Sequence, residues 1–219
     1  MAWLAREQLA LSFDEFKAFM HGRVVPRDGC VLVTIDDGFK STYSQALPVL
    51  RDHSIPAVVF VSSGYIGSGD AENPDAPEPY MSWDELERMA EVGFTVGSHA
   101  WSHRSIARMP RAEACREAVR SRELLERRLG RSVAAFAYPF GTRADYNAST
   151  AAILREAGYE YGFTSRHGSI RRGDDSLELP RVKVEGGEKL WLFRAMTRGG
   201  LDDWRWVDDN LWRLQASAD

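Results

Sequence analysis

Six short, β-branched-rich runs separated by stretches of helical periodicity dominate the chain: VLVTI (31–35), AVVFV (57–61), FTVGS (94–98), VAAFAY (133–138), YGFTS (161–165) and RVKVE (181–185). Runs this short and this nearly continuous in apolar residues read as strands buried on both faces. That is the pattern of a parallel sheet covered by helices, not of an antiparallel sheet with one wet face. The intervening helices have legible ends. Ser82 and Glu85 have the spacing of a capping box for SWDELERMAEVG, which Gly93 closes, and Ser12 with Glu15 predicts the same device for a helix near 13–21. Residues 112–129 and 145–157 also read as helices, each stopped by a glycine, Gly130 and Gly158. A single α/β barrel or a doubly wound sheet satisfies this order, and 219 residues suffice for one such domain, not two.

Composition removes several function classes. The formal net charge of −4 and a pI near 5.8 leave no electrostatic footprint for nucleic acid. Cys30 and Cys115 form no CxxC and suggest neither a disulfide framework nor a thiolate zinc site. No apolar run approaches the ~20 residues that span a bilayer, so no transmembrane segment is expected. The start, MAWLAREQLALSF, lacks a basic region followed by a continuous apolar segment. A cytoplasmic location is therefore expected for the chain as it stands, with a periplasmic or extracellular one if a leader has been removed. Residues 1–29 are expected as a helical N-terminal extension, and 62–81 as a long lid or binding loop. In the Trp-rich C-terminal segment 186–219, Trp191, Trp204, Trp206 and Trp212 are expected to pack a core or close the barrel base, ahead of forming a partner or membrane surface.

Catalytic groups of barrels and parallel sheets gather where strands end at their carboxyl side. That rule collects Asp36 and Asp37 in TIDDG, His99 and His103 in SHAWSH, and the stretch AYPFG (137–141). Adjacent carboxylates repel and a strand sends them to opposite faces, so a purely structural pair is an odd choice there. Histidines four apart face one point if their segment turns helically, and imidazole is the commonest ligand for zinc and similar metals. One carboxylate completes a two-His, one-Asp site with positions left open for water and substrate. Asp37 is the expected third ligand. Asp36 then stands beside the metal without binding it, placed to take a proton from the attacking water. Singly, a DDG is most often a turn and an HxxxH most often a solvated helix face; their joint appearance at successive strand ends favours the metal.

TIDDGFKSTYSQALPVLRDHSIPAVVFV, MSWDELERMAEVGFTVGSHAWSH and FAYPFG resemble, in order and spacing, the polysaccharide deacetylase family, carbohydrate esterase family four. The FAYPFG and LPRVKV forms look most like its biofilm poly-N-acetylglucosamine deacetylase branch. The resemblance, from about Val31 to Val184, implies a distorted (β/α) barrel of the NodB-homology type with about seven strands. It implies a divalent metal, zinc first with cobalt, nickel or manganese as alternatives, and hydrolysis of an N-acetyl, occasionally O-acetyl, group on the amino sugar of a poly- or oligosaccharide. By position Asp36 matches the family's general base, and Asp37, His99 and His103 its metal ligands. Tyr138, Pro139, Phe140 and Gly141 match the groove-wall motif, where a backbone amide helps hold the oxyanion. Trp83 and Trp101 flank these motifs and are candidates to stack on sugar rings.

Two departures stand out. Ala137 occupies the position where many members carry the arginine that orients the base, and LELPRVKV replaces the motif whose histidine protonates the leaving amine. Arg181 is the candidate to orient or tune Asp36, though an arginine cannot act as a general acid near neutral pH. His167, in TSRHGS, is the candidate acid, against its plain reading as a loop histidine. Two rival functions follow: a related metal hydrolase of another small amide or cyclic ureide, and a degenerate member that binds glycan without turnover. Oligomeric state is left open.

Overall fold

In the computed structural model, which describes residues 1–67 and 76–215, five parallel strands lie side by side in chain order. They are β1 (Val33–Ile35), β2 (Ala57–Val61), β3 (Thr95–Ser98), β4 (Ala135–Ala137) and β5 (Tyr161–Phe163). The helices are α1 (Ala2–Glu7), α2 (Phe13–Met20), α3 (Leu47–Asp52), which follows a π-helical turn at Thr42–Ala46, α4 (Trp83–Glu91), α5 (Arg111–Leu129), α6 (Ala148–Glu156), α7 (Leu190–Met196) and α8 (Trp204–Gln215). Both expected capping boxes form, at Ser12 with Glu15 and at Ser82 with Glu85, and α6 adds a third at Asn147 with Thr150. Gly130 ends α5 at φ 64°, the left-handed conformation that glycine adopts without cost.

The sheet curls into the half-barrel of a distorted (β/α) barrel. Parallel bridges at both edges, Ala10 with Val31 and Phe163 with Leu179, extend it beyond the five strands toward the seven staves expected. The run RVKVE is a correction: it is not a strand. Pairing along β5 comes earlier, through Gly162 with Ser176 and Leu179 and Thr164 with Leu179, and past Pro180 the Arg181 amide donates to the Arg166 carbonyl in the loop after β5. The chain then turns Arg181 toward β1.

Alternation along β2 sorts the core into two clusters. Val59 and Val61 face the helical layer with Leu86, Met89, Leu125 and Leu154. Val58 and Phe60 face the concave side with Ala135, Ala137, Tyr161, Phe163 and Leu179. There α2 inserts Phe13 and Phe16, the Phe16 ring standing 5.4 Å from Tyr161 and 5.7 Å from Phe163. Residues 9–11 pair with Val31, so the N-terminal residues pack into the sheet's edge and its concave face.

The C-terminal tryptophans differ from expectation. Trp191, Trp204 and Trp206 are 66%, 53% and 64% exposed rather than buried. The two last helices reach the body through other residues: Phe193 meets Trp3 edge-on, and Asp208 and Asp209 reach the loop after β5. The Trp212 side chain, residues 216–219 and residues 68–75, on which the middle of the expected 62–81 lid or binding loop falls, lie outside the described residues. Among the described residues no helix is long and apolar enough to cross a membrane.

Gly97 of β3 is where the concave packing is tightest, since a Cβ there would lie 2.4 Å from the Phe60 ring and 3.1 Å from the Ala135 carbonyl. Gly97→Ala should therefore destabilise the protein by about 1–3 kcal/mol through overpacking. Gly186→Ala, whose Cβ meets nothing within 4 Å, should stay within about 0.5 kcal/mol. Denaturant unfolding of both variants checks the contrast.

Candidate metal centre

The chain leaves β1 through Asp36 and turns at once, with Asp37 at φ 74° and Gly38 at φ 84°. A Cβ at Gly38 would lie 2.9 Å from Val61 and 3.1 Å from Ile66, so glycine is what lets the turn settle on β2. Aspartate is among the few side-chain-bearing residues that tolerate the left-handed region. The Asp37 carbonyl accepts the Ser62 amide at 3.3 Å, which ties the turn to the end of β2.

The turn separates the two carboxylates. Asp37 Oδ1 lies 3.4 Å from His99 Nε2 and 3.1 Å from His103 Nε2. Asp36 takes a bidentate fork from Arg181, Nη1 to Oδ1 at 2.8 Å and Nη2 to Oδ2 at 2.7 Å. The same guanidinium donates from Nε to the Thr164 carbonyl at 2.9 Å and from Nη1 to Thr34 Oγ1 at 3.2 Å. It thereby spans the gap between β1 and the end of β5.

His99 and His103 converge through a tight turn, not the helical turn expected, with Ala100 at φ 62° and His103 at φ 53°. The turn is held from one side by the run Ser62–Tyr65 that follows β2. The Ser62 hydroxyl donates to the His99 carbonyl, the Ser63 and Gly64 amides to those of Ala100 and Trp101, and the Tyr65 hydroxyl to that of Ser102. These donors escaped the sequence reading, although a hydroxyl-rich SSGY directly after a buried strand was a usable signal. Of the six non-glycine residues at positive φ among the described residues, four belong to this centre: Asp37, Ala100, His103 and Phe140. Backbone strain is concentrated at the site.

The donor set fits a divalent cation. His99 is 2% exposed, and its Nδ1 bonds to the Ala137 carbonyl at 2.7 Å, which fixes the tautomer and leaves Nε2 aimed at Asp37 and His103. One donor atom each from Asp37, His99 and His103 lies within 4.8 Å of the others. Ligands about 2.0–2.1 Å from one tetrahedral ion stand about 3.3 Å apart, close to the separations here. The electrostatics agree. Burial alone would raise the Asp37 carboxyl, but the two imidazoles hold it far below the usual carboxylate range. Burial opposes a charged His99, yet Asp37 and Asp36 outweigh it and raise the ring. Burial likewise pushes Asp36 up, and Arg181, with His99, more than offsets it, so Asp36 stays ionised at neutral pH.

The other expected site residues divide. Phe140 is 56% exposed with its ring centroid 5.1 Å from that of His103, so it does wall the centre. Gly141 sits at φ 65°, where a Cβ would lie 2.6 Å from the Ser165 amide nitrogen. Tyr138 is a correction to any direct contact. Its side chain is buried among Phe136 and Tyr146, its hydroxyl donates to the Leu177 carbonyl at 2.9 Å, and its amide donates to Phe163. Trp83 and Trp101 are corrected in the same way. The Arg128 guanidinium lies 4.8 Å over Trp83 and that of Arg120 3.4 Å over Trp101, and a Cβ on Gly67 or Gly64 would collide with the respective ring. Both indoles are packing elements rather than open stacking platforms. His167 is bound to α8: Asp208 Oδ2 accepts its amide at 2.7 Å and pairs with Nδ1 at 2.9 Å. The structure does not bring it into the Asp37, His99, His103 group. The Asp208 partner lies 41 residues away, and no sequence pattern announced it.

Comparison with known proteins gives a consistent result. Residues 23–162 match the family model described as polysaccharide deacetylase. The chain is 25% identical over 192 residues to the poly-beta-1,6-N-acetyl-D-glucosamine N-deacetylase of Staphylococcus epidermidis, covering 83% of this chain and 64% of that protein. It is 26% identical over 170 residues to YxkH of Bacillus subtilis, covering 78% of this chain and 57% of that one. The chain thus spans about three fifths of the length of these relatives. IcaB from Ammonifex degensii superposes with a TM-score of 0.75 at 28% identity, covering 90% of this chain and 87% of that one. The Streptococcus pyogenes deacetylase PplD, solved with acetate, also gives 0.75, covering 84% and 77%; at 23% identity that likeness speaks for the fold.

The geometry predicts one divalent cation per chain. Elemental analysis should find one equivalent in the wild-type protein and less than a tenth of that in His103→Ala after the same dialysis. Equal content in the two proteins would refute the assignment.

Proposed function

The chain belongs to the polysaccharide deacetylase family, and on that footing we propose that it hydrolyses the N-acetyl group of an amino sugar in a polysaccharide or its precursor. The observation that carries this reading is the split between neighbours: Asp37 lies with two imidazoles, while Asp36 is kept off that cluster by Arg181. Poly-β-1,6-linked N-acetylglucosamine, named for relatives, is the first substrate we assign. Zinc held by Asp37, His99 and His103 would supply Lewis acidity to the acetyl carbonyl and to the water that attacks it.

The chain's own groups perform the remaining steps. Asp36 takes the proton from the attacking water. Arg181 fixes both of its oxygens yet leaves each a second lone pair for that proton. Arg181 in this way does from after β5 what the arginine absent at position 137 does in other members, which weighs against a degenerate, binding-only chain. The Phe140 amide is our choice for the oxyanion donor. Among the described residues it has no acceptor, and the Pro139 carbonyl of the same trans peptide accepts the Gly141 amide at 2.7 Å, so the N–H points the other way. The proton held by Asp36 then passes to the leaving amine, the C–N bond breaks, and acetate departs. His167, tied to Asp208 and with its ring centroid 6.4 Å from that of Trp204, we assign to holding α8 against the loop after β5.

Acetate release from N-acetylglucosamine oligosaccharides tests the reading. Asp36→Asn should lower kcat/KM by about 10²–10⁴-fold, and a chelator should abolish turnover until zinc is returned. Bound cation with no acetate released from any acetylated sugar would instead favour the binding-only alternative. The pH profile adds a signed test. Arg181 lowers the Asp36 pKa, so Arg181→Met must let it rise, and the acid limb of kcat/KM should move to higher pH. An acid limb that stays in place would remove Asp36 from the role of base. His167→Gln should leave that limb unmoved while lowering the unfolding midpoint.

A further inference from the structure

The turn that carries both histidine ligands is clamped from two sides. The Ser62–Tyr65 run receives its four carbonyls. On the opposite side stands α5, and there one side chain takes up its exposed donors: Glu117 Oε2 accepts the Trp101 amide at 3.0 Å and the Ser102 amide at 2.9 Å, and Oε1 accepts the Ser102 hydroxyl at 2.9 Å. Sequence alone reads Glu117 as one more charged residue on a charged helix.

We propose that Glu117 is a positioning residue for the cation: without touching it, its carboxylate sets the direction in which His103 presents Nε2. This rests on the metal-dependent reading above. Ala100 and His103 bracket the clamped residues and both hold left-handed backbone, which side-chain-bearing residues avoid unless their surroundings impose it. A carboxylate is the apt clamp because hydrogen bonds to an ionised acceptor are roughly twice as strong as neutral ones, and one such group satisfies three donors. The helix beneath it is anchored. Ala114 and Ala118 are buried on either side of Glu117, and Ser121, one turn further, bonds to Ser63 and Ser98, the residues following β2 and ending β3. Arg120 covers the Trp101 ring from the same helix. The turn therefore takes its shape from α5 as much as from the sheet, and Glu117 holds both the amide and the hydroxyl of Ser102, the residue directly before His103.

The measurement is zinc affinity, by competition with a chromophoric chelator, together with the visible absorption of the Co²⁺-substituted protein. Glu117→Gln keeps the size but cannot accept all three bonds. It should weaken zinc binding by about 10–100-fold and alter the Co²⁺ spectrum while circular dichroism stays that of the wild type. Ser102→Ala removes one bond of the three and should weaken binding a few-fold. Glu123→Gln, exposed on the same helix, should change neither readout. A merely structural role would lower the unfolding midpoint and leave the affinity and spectrum of the folded protein intact. If Glu117→Gln fails to fold, Ser102→Ala decides alone, and wild-type affinity there overturns the proposal. Wild-type affinity and spectrum in both variants overturn it and leave the metal reading standing. A wild-type protein that binds no zinc or cobalt would sink both together.

Discussion

Two carboxylates stand next to each other at the end of β1, and each must find its own positive partner. The left-handed turn at Asp37 and Gly38 makes this feasible by sending consecutive side chains to different neighbours. Asp37 goes to the imidazoles at the end of β3, and Asp36 to a guanidinium 145 residues further along the chain. Continued as a strand, the chain would send Asp37 to the opposite face from Asp36, away from the imidazoles at the end of β3. The requirement reaches back into the fold, because only a sheet that curls far enough to bring the end of β5 near β1 can deliver Arg181 to Asp36.

Arg181 couples chemistry to architecture. Its Nε holds the Thr164 carbonyl, one residue past β5, its Nη1 reaches Thr34 on β1, and the fork closes on Asp36. It lies over the Phe60 ring, at the top of the concave cluster that α2 fills from the other side. The seam between the first and last strands is thus bridged by a side chain where the backbone offers no ladder. A change that loosened the seam would also disturb Asp36.

Much of this was legible in the sequence because it rests on local signals. Strand runs, capping boxes and glycine stops each depend on a few adjacent residues, and β2, β3, α2, α4 and α5 lie within a residue or two of where those signals put them. The meeting of Asp37, His99 and His103 was legible through a topological rule, that strand ends collect functional groups. What stayed hidden depends on partners far apart in the chain or on backbone conformation. RVKVE has the alternation of a strand, but its first residue, Arg181, bonds to the loop after β5 and to Asp36 instead. Trp83 and Trp101 looked like sugar platforms because indoles near a glycan site usually are, and nothing local reveals the arginines of α5 lying across them. The convergence of His99 and His103 was read as helical spacing, whereas two left-handed residues bring it about.

The aromatic plug contributed by α2 has a consequence for access. With Phe13, Phe16, Phe60 and Phe163 packed across the concave side, the described residues leave the half-barrel no bore along its axis. A ligand must arrive over the rim, beside the exposed ring of Phe140. For the polymer proposed as substrate, that approach would mean lying across the strand ends as a thread lies across the lip of a cup.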